Sequence, residues 1–249
     1  MRLLVSVRSA GEVAAAVSGG ADIVDAKDPS LGSLGAVSAR ELGSIADQVP
    51  LEMTLSIALG DPADTQAIEH AMTAVGQLGA RRGAAYVKIG LAGTADYETL
   101  LAAAVRMAAQ TALSPAVIAV AYADGAGRHL PTADAATRLV VRAGAAGLLL
   151  DTQSKNGFDL FHFMPMSAVR TWASEARAAG LLTAVAGSLS IEGVRATATL
   201  PADIVGVRGA ACEGGREGII ARHKVRDLRA AVLQSAGAME SVSLLSPST

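Results

Sequence analysis

The feature that most constrains this chain is a count. Eight short apolar runs, each bounded by turn residues, are each followed by a segment with helical character, and the runs begin near residues 2, 21, 51, 84, 116, 147, 181 and 203. Short apolar runs of this kind read as buried strands. Strands alternating with helices give parallel βα units, because a parallel neighbour is reached only through a crossover. A doubly wound open sheet shares that alternation. Three observations favour a closed barrel instead: the count is eight, no GxGxxG follows the first strand, and the run at 51–58 alternates. Leu51, Met53, Leu55 and Ile57 take one face, Glu52, Thr54 and Ser56 the other, as a strand with helices outside and a partly polar lumen inside should. The predicted fold is α/β, a single-domain (β/α)8 TIM barrel over residues 1–234 with a flexible tail at 235–249.

The expected strands are 2–8, 21–27, 51–58, 84–91, 116–123, 147–152, 181–186 and 203–207. Ser9-Ala-Gly-Glu12 and Ser38-Ala-Arg-Glu41 read as capping boxes opening the first two helices. Later helices are expected at about 63–79, 96–111, up to 143, 166–179, 190–200 and 221–234.

Composition narrows the function classes. Hydrophobic residues make up 51% and charged ones 18%, enough apolar surface for a large core. Aromatics at 3% leave no base-stacking platform, and a net charge of −2 gives no basic footprint for nucleic acid or anionic lipid. The lone Cys212 has no internal disulfide partner, and no Cys/His cluster has zinc spacing. No apolar run reaches the roughly 18 residues of a membrane span, and the first residues enter a strand without a signal-peptide pattern. The expectation is a cytoplasmic protein with no metal and no cofactor, for which a homo-oligomeric assembly is compatible.

The chain holds four lysines against seventeen arginines. Where Arg supplies the surface charge, a retained Lys points to something guanidinium cannot do, such as losing a proton. Lys27, Lys88 and Lys155 all fall at or just after a predicted strand end, where barrel active sites lie. Asp25 shares the face of Lys27, two residues back on the same strand, and Asp151 ends the sixth strand. A pair such as Asp25 and Lys27 could simply close the barrel top. Three lysines and two aspartates at one mouth fit chemistry better, since buried charge is costly unless paired or used. Crowded ammonium groups lower one another's pKa and free an amine for imine formation with a carbonyl, a second Lys shuttling protons.

The ends of strands seven and eight are Gly-rich: Gly187-Ser188 and Gly206-Val207-Arg208-Gly209-Ala210. In barrels this region commonly cradles phosphate on backbone N–H groups. Gly187, Ser188, Gly209 and Ala210 are the expected cradle, with the Arg208 fork in support. The loop Pro29-Ser-Leu-Gly-Ser-Leu-Gly35 reads as a further phosphate contact or a lid. His70, His129, His162 and His223 have no partner visible in sequence and receive no role.

Taken together, Gly-Gly-Ala-Asp-Ile-Val-Asp25-Ala-Lys27-Asp-Pro, Tyr-Val-Lys88-Ile-Gly-Leu, Leu-Asp151-Thr-x-x-Lys155, Ala-Gly-Ser188 and Asp-Ile-Val-Gly-Val-Arg208-Gly-Ala-Ala-Cys212 resemble the (5-formylfuran-3-yl)methyl phosphate synthase family, also called 4-(hydroxymethyl)-2-furancarboxaldehyde-phosphate synthase. The resemblance runs in order from Met1 to about Gln234. It implies a (β/α)8 barrel that condenses two glyceraldehyde 3-phosphates into a phosphorylated furan aldehyde, losing phosphate and water. The product would serve methanofuran- or methylofuran-type one-carbon carriers. It further implies that Lys27 forms the imine, that Lys88 accepts the proton, and that Asp25, Asp151 and Lys155 line the site. Ala26 departs from the family pattern where Val is expected, as do the loop after Lys155 and the tail. The alternatives are a class I aldolase on another sugar phosphate and a non-catalytic barrel that binds phosphosugars.

Overall fold

The computed structural model describes residues 1–80, 83, 85–92, 96–125 and 131–243, with side chains described as far as 234; His129 and residues 244–249 lie outside that set. Strands β1 (Arg2–Val7), β2 (Ile23–Ala26), β3 (Thr54–Ala58), β4 (Ala85–Gly90), β5 (Ala116–Tyr122), β6 (Gly147–Asp151), β7 (Leu182–Val185) and β8 (Ile204–Val207) pair in sequence order. All are parallel, and β8 returns to β1 to close the barrel. Around it lie α1 (Ala10–Gly19), α2 (Ala39–Gln48), α3 (Thr65–Gly76), α4 (Tyr97–Ala109), α5 (Ala133–Ala143), α6 (Leu160–Phe163), α7 (Met166–Ala178), α8 (Ile191–Thr197) and α9 (Arg222–Ser243).

Side-chain alternation divides the interior in two. On β1, Leu3, Val5 and Val7 join the apolar layer beneath the helices, while Leu4 joins the lumen. Ile23, Tyr86, Ile118, Leu149, Ala184 and Ile204 fill the lumen with Leu4, so the lower barrel is packed rather than a pore. Burying each large aliphatic side chain favours folding by about 1.5–3 kcal/mol. One step higher, the lumen turns polar: Ser6, Asp25 and Ser56 are register neighbours across β1, β2 and β3, all buried.

Three sequence expectations change. Residues 51–53 form a turn closed by Met53 N–H donating to Pro50 O at 2.9 Å, so β3 begins only at Thr54. Ser38 caps α2 as expected, its Oγ accepting from Glu41 N–H. The box at Ser9 does not form: its side chain makes no cap bond, and the buried Glu12 carboxylate accepts from Arg8 N–H at 2.8 Å while pairing with Arg208. Finally, α9 runs on to Ser243, past the expected boundary at 234. The sequence reading had no place for α6 or for the small antiparallel pair β9 (Cys212–Glu213) and β10 (Ile219–Ile220). Among the described residues, no helix is long and apolar enough to cross a membrane.

Candidate active site

The C-terminal strand ends open into a cavity of about 280 Å3. Lys27 reaches it from the residue after β2, where its backbone N–H still donates to Val7 O at 3.0 Å. The side chain is 6% exposed, and among the described residues its amine has no hydrogen-bond partner. Burial, followed by the nearby Lys88 ammonium, brings its pKa from 10.5 down to about 7, against the pull of Asp151 and Asp25. An unpaired amine with a substantial neutral fraction therefore faces the cavity at neutral pH.

The other two lysines are held. Lys88 Nζ, on β4, donates to Asp25 Oδ2 at 2.8 Å, and both are buried. The same Asp25 oxygen accepts from Ser6 Oγ at 2.8 Å, whereas Oδ1 has no partner among the described residues. Burial raises the Asp25 pKa, but Lys88 and then Lys27 outweigh it, and the carboxyl lies below its ordinary value. Asp25 is beneath the cavity rather than on its wall, where it pairs with Lys88 and acts on Lys27 through its charge. At the end of β6, Asp151 Oδ1 accepts from Lys155 Nζ at 2.9 Å and from Thr152 N–H at 2.7 Å. Burial opposes ionisation there too. The Lys155 and Lys27 ammonium groups and these hydrogen bonds prevail and hold Asp151 at about 2. Lys155 places its remaining donors on Thr152 O and Oγ1, at 2.6 and 3.0 Å. Ser33, from the loop after β2, donates to Thr152 O at 2.9 Å and ties that loop to the β6 end.

Gly187, Ser188, Gly209 and Ala210 all line the cavity. Gly187 (φ 111°) and Ser188 (φ 52°) are consecutive left-handed residues, and for Ser188 this backbone is strained. Among the described residues, the backbone N–H groups of these four have no acceptor. Arg208 does not complete the cradle. Its Nε donates to Arg216 O, its Nη1 to Ser6 O and Glu12 Oε2, and its Nη2 to Glu12 Oε1 and Gly218 O, at 2.6–3.1 Å. Arg208 lines the cavity, but all five of its donors are engaged within the protein, and it acts there as a buried clamp on α1.

Two features escaped the sequence reading. Arg216, in the turn between β9 and β10, lines the cavity, and its Nη2 donates to Gly32 O at 2.7 Å and more weakly to Pro29 O at 3.4 Å. Nothing marks it in sequence among seventeen arginines. Asp61 and Tyr122 form the other, the Tyr hydroxyl donating to Asp61 Oδ1 at 2.7 Å. Burial raises the pKa of both. Asp61 occupies the space that a β-carbon at residue 90 would need, which leaves glycine there; such a dependence was invisible before the fold was known.

Comparisons with known proteins place the chain in a family and bear out the barrel. Residues 3–229 match the family model described as 4-HFC-P synthase. The chain is 36% identical over 234 residues to the (5-formylfuran-3-yl)methyl phosphate synthase of Methanothermobacter thermautotrophicus, covering 92% of this chain and 98% of that protein. It is 35% identical over 235 residues to the synthase of the same name from Methanocaldococcus jannaschii, with the same coverage. Among solved structures, phosphoribosyl anthranilate isomerase from Thermus thermophilus superposes with a TM-score of 0.62 at 15% identity, over 94% of this chain and 99% of that one. A 3-hexulose-6-phosphate synthase does so with a TM-score of 0.59 at 21% identity, over 93% and 100%. These structural likenesses concern the barrel alone. On the sequence matches, which span nearly its whole length, the chain belongs to the (5-formylfuran-3-yl)methyl phosphate synthase family.

Proposed function

We propose that this chain, in the cytoplasm, condenses two molecules of glyceraldehyde 3-phosphate into (5-formylfuran-3-yl)methyl phosphate, with loss of phosphate and water, on the way to a methanofuran- or methylofuran-type carrier. The observation that carries the reading is the Lys27 amine: buried in the cavity, unpaired among the described residues and brought to a pKa of about 7. Its lone pair attacks the substrate aldehyde to give a carbinolamine. Lys88, poised as an ammonium on Asp25, protonates the carbinolamine hydroxyl, which departs as water and leaves an iminium on Lys27. Lys88 is then neutral and takes the proton from the carbon next to the iminium, regenerating its ammonium and leaving an enamine. The enamine attacks the second aldehyde, and a later enamine expels phosphate from the β-carbon. Asp151 and Lys155 supply a fixed, internally compensated charge pair at the β6 end. Family membership supports the product, and the cavity-lining backbone at 187–188 and 209–210, whose N–H groups have no acceptor among the described residues, supports a substrate phosphate there.

Borohydride reduction during incubation with glyceraldehyde 3-phosphate, followed by peptide mapping, tests the assignment. The adduct is expected on Lys27, and Lys27→Arg is expected to abolish both adduct and product. A furan absorbs strongly in the near ultraviolet and an aldol does not. Aldol alone would make the chain a class I aldolase, and an adduct on Lys88 would overturn the role of Lys27.

A further inference from the structure

If two phosphorylated trioses meet in this cavity, as the reading above holds, two phosphate groups need partners. The backbone cradle at 187–188 and 209–210 offers one. The side-chain cations around it are largely committed. All five Arg208 donors are bonded within the protein, and all three Lys155 donors go to Asp151 and Thr152. Lys27 is the amine that must stay free for the carbonyl, and Lys88 is paired with Asp25.

Arg216 differs from all of these. It forms no ion pair among the described residues, and its only acceptors there are the carbonyls of Gly32 and Pro29, both on Nη2. Its Nε and Nη1 donors have no acceptor among the described residues. The guanidinium is partly buried at the cavity wall, and burial lowers its pKa, the direction of a cation short of compensation. The two carbonyls fix its reach. They hold it between the β8 side, where its backbone packs behind Gly209, and the loop that begins two residues after Lys27. A planar fork with free edges at that point suits a phosphomonoester.

We infer that Arg216 binds the second substrate phosphate, the one outside the backbone cradle. Its bonds to Pro29 and Gly32 orient the fork, and its free donors meet the phosphate oxygens.

Arg216→Ala and Arg216→Lys test this against a mere brace on the loop. The expected result for Arg216→Ala is a fall in kcat/KM for glyceraldehyde 3-phosphate of about 10- to 100-fold, the usual worth of a charge-assisted contact. Guanidinium ion in the buffer should restore part of it, and Arg216→Lys should lie between. Trapping of Lys27 by unphosphorylated glyceraldehyde should stay within about twofold of wild type, since no phosphate is involved. A parallel loss with both aldehydes would show that Arg216 only braces the loop and would overturn the inference, as would an unchanged kcat/KM. If wild type gave no Lys27 adduct at all, the imine reading would fall by itself. Calorimetric titration with inorganic phosphate would still decide Arg216, with weaker binding in Arg216→Ala supporting it and equal binding removing it.

Discussion

Lys88 Nζ and Asp25 Oδ2 meet at 2.8 Å across the lumen, although β2 and β4, which carry them, are separated by β3. Alternate strands of a barrel contribute to one layer, so the pair joins strands that share no backbone hydrogen bond. Asp25 thereby holds Lys88 in a fixed position as its ion-pair partner. Lys27, which has no such partner among the described residues, is left with its lone pair.

Lys88→Ala should therefore separate imine formation from turnover. Borohydride trapping on Lys27 is expected to persist but more slowly, because the nucleophile remains while the acid that helps water leave is gone, and without the nearby Lys88 charge the Lys27 pKa rises. Furan formation should slow by about 10²–10⁴, the usual contribution of a positioned acid–base group. Adduct yield and product measured on the same variant check this, and loss of both would place Lys88 in binding instead.

The Lys27 pKa of about 7 fixes a pH dependence. The rate of trapping should rise with pH through about 7 and level off above it, falling roughly tenfold per unit below about 6. Asp151, at about 2, stays ionised across this range and adds no limb. Stability follows the same group. The folded pKa is depressed, so between about 7 and 10.5 the unfolded chain binds the extra proton, and this residue makes stability rise with pH there. Lys27→Met should unfold at a higher temperature than wild type at pH 7, and the gap should narrow toward pH 10. An equal gap at both values would mean that the amine is not desolvated.

The Arg208–Glu12 pair should behave as structure and not as substrate contact. Breaking one side of a buried ion pair costs about 3–5 kcal/mol, so Glu12→Gln should lower the urea midpoint sharply while the folded fraction keeps its KM. A raised KM with unchanged stability would return Arg208 to the phosphate.

Ser188 offers a milder test. Its φ of 52° is open to glycine without strain, and the left-handed conformation costs another residue about 1–2 kcal/mol. Ser188→Gly should raise the free energy of unfolding by up to about 1 kcal/mol, after the extra freedom glycine brings to the unfolded chain. The N–H stays in place, so KM should hold. Destabilisation would show that the serine side chain has a role that its exposed position does not suggest.

The barrel was legible because strand and helix periods survive in sequence, and the strand-end lysines because so few lysines remain. What sequence could not convey were pairings made only by closure. Glu12 looked like a capping residue because a local partner was in view, while its actual partner, Arg208, lies 196 positions away. Arg208 looked like a phosphate ligand for the same reason, its neighbours being glycines. Arg216 and the Asp61–Tyr122 contact depend on where loops fold back, and no local spacing encodes that.

The clamp between Glu12 and Arg208 bears on the order of synthesis. Glu12 is made early and Arg208 in the last fifth of the chain, so a growing polypeptide carries the acidic partner long before its counter-charge exists. Until β8 closes against β1, the lumen is open and Lys27 is an ordinary hydrated lysine with an ordinary affinity for protons. The depressed pKa of the Lys27 amine is thus a property of the closed barrel and not of the strand that carries it.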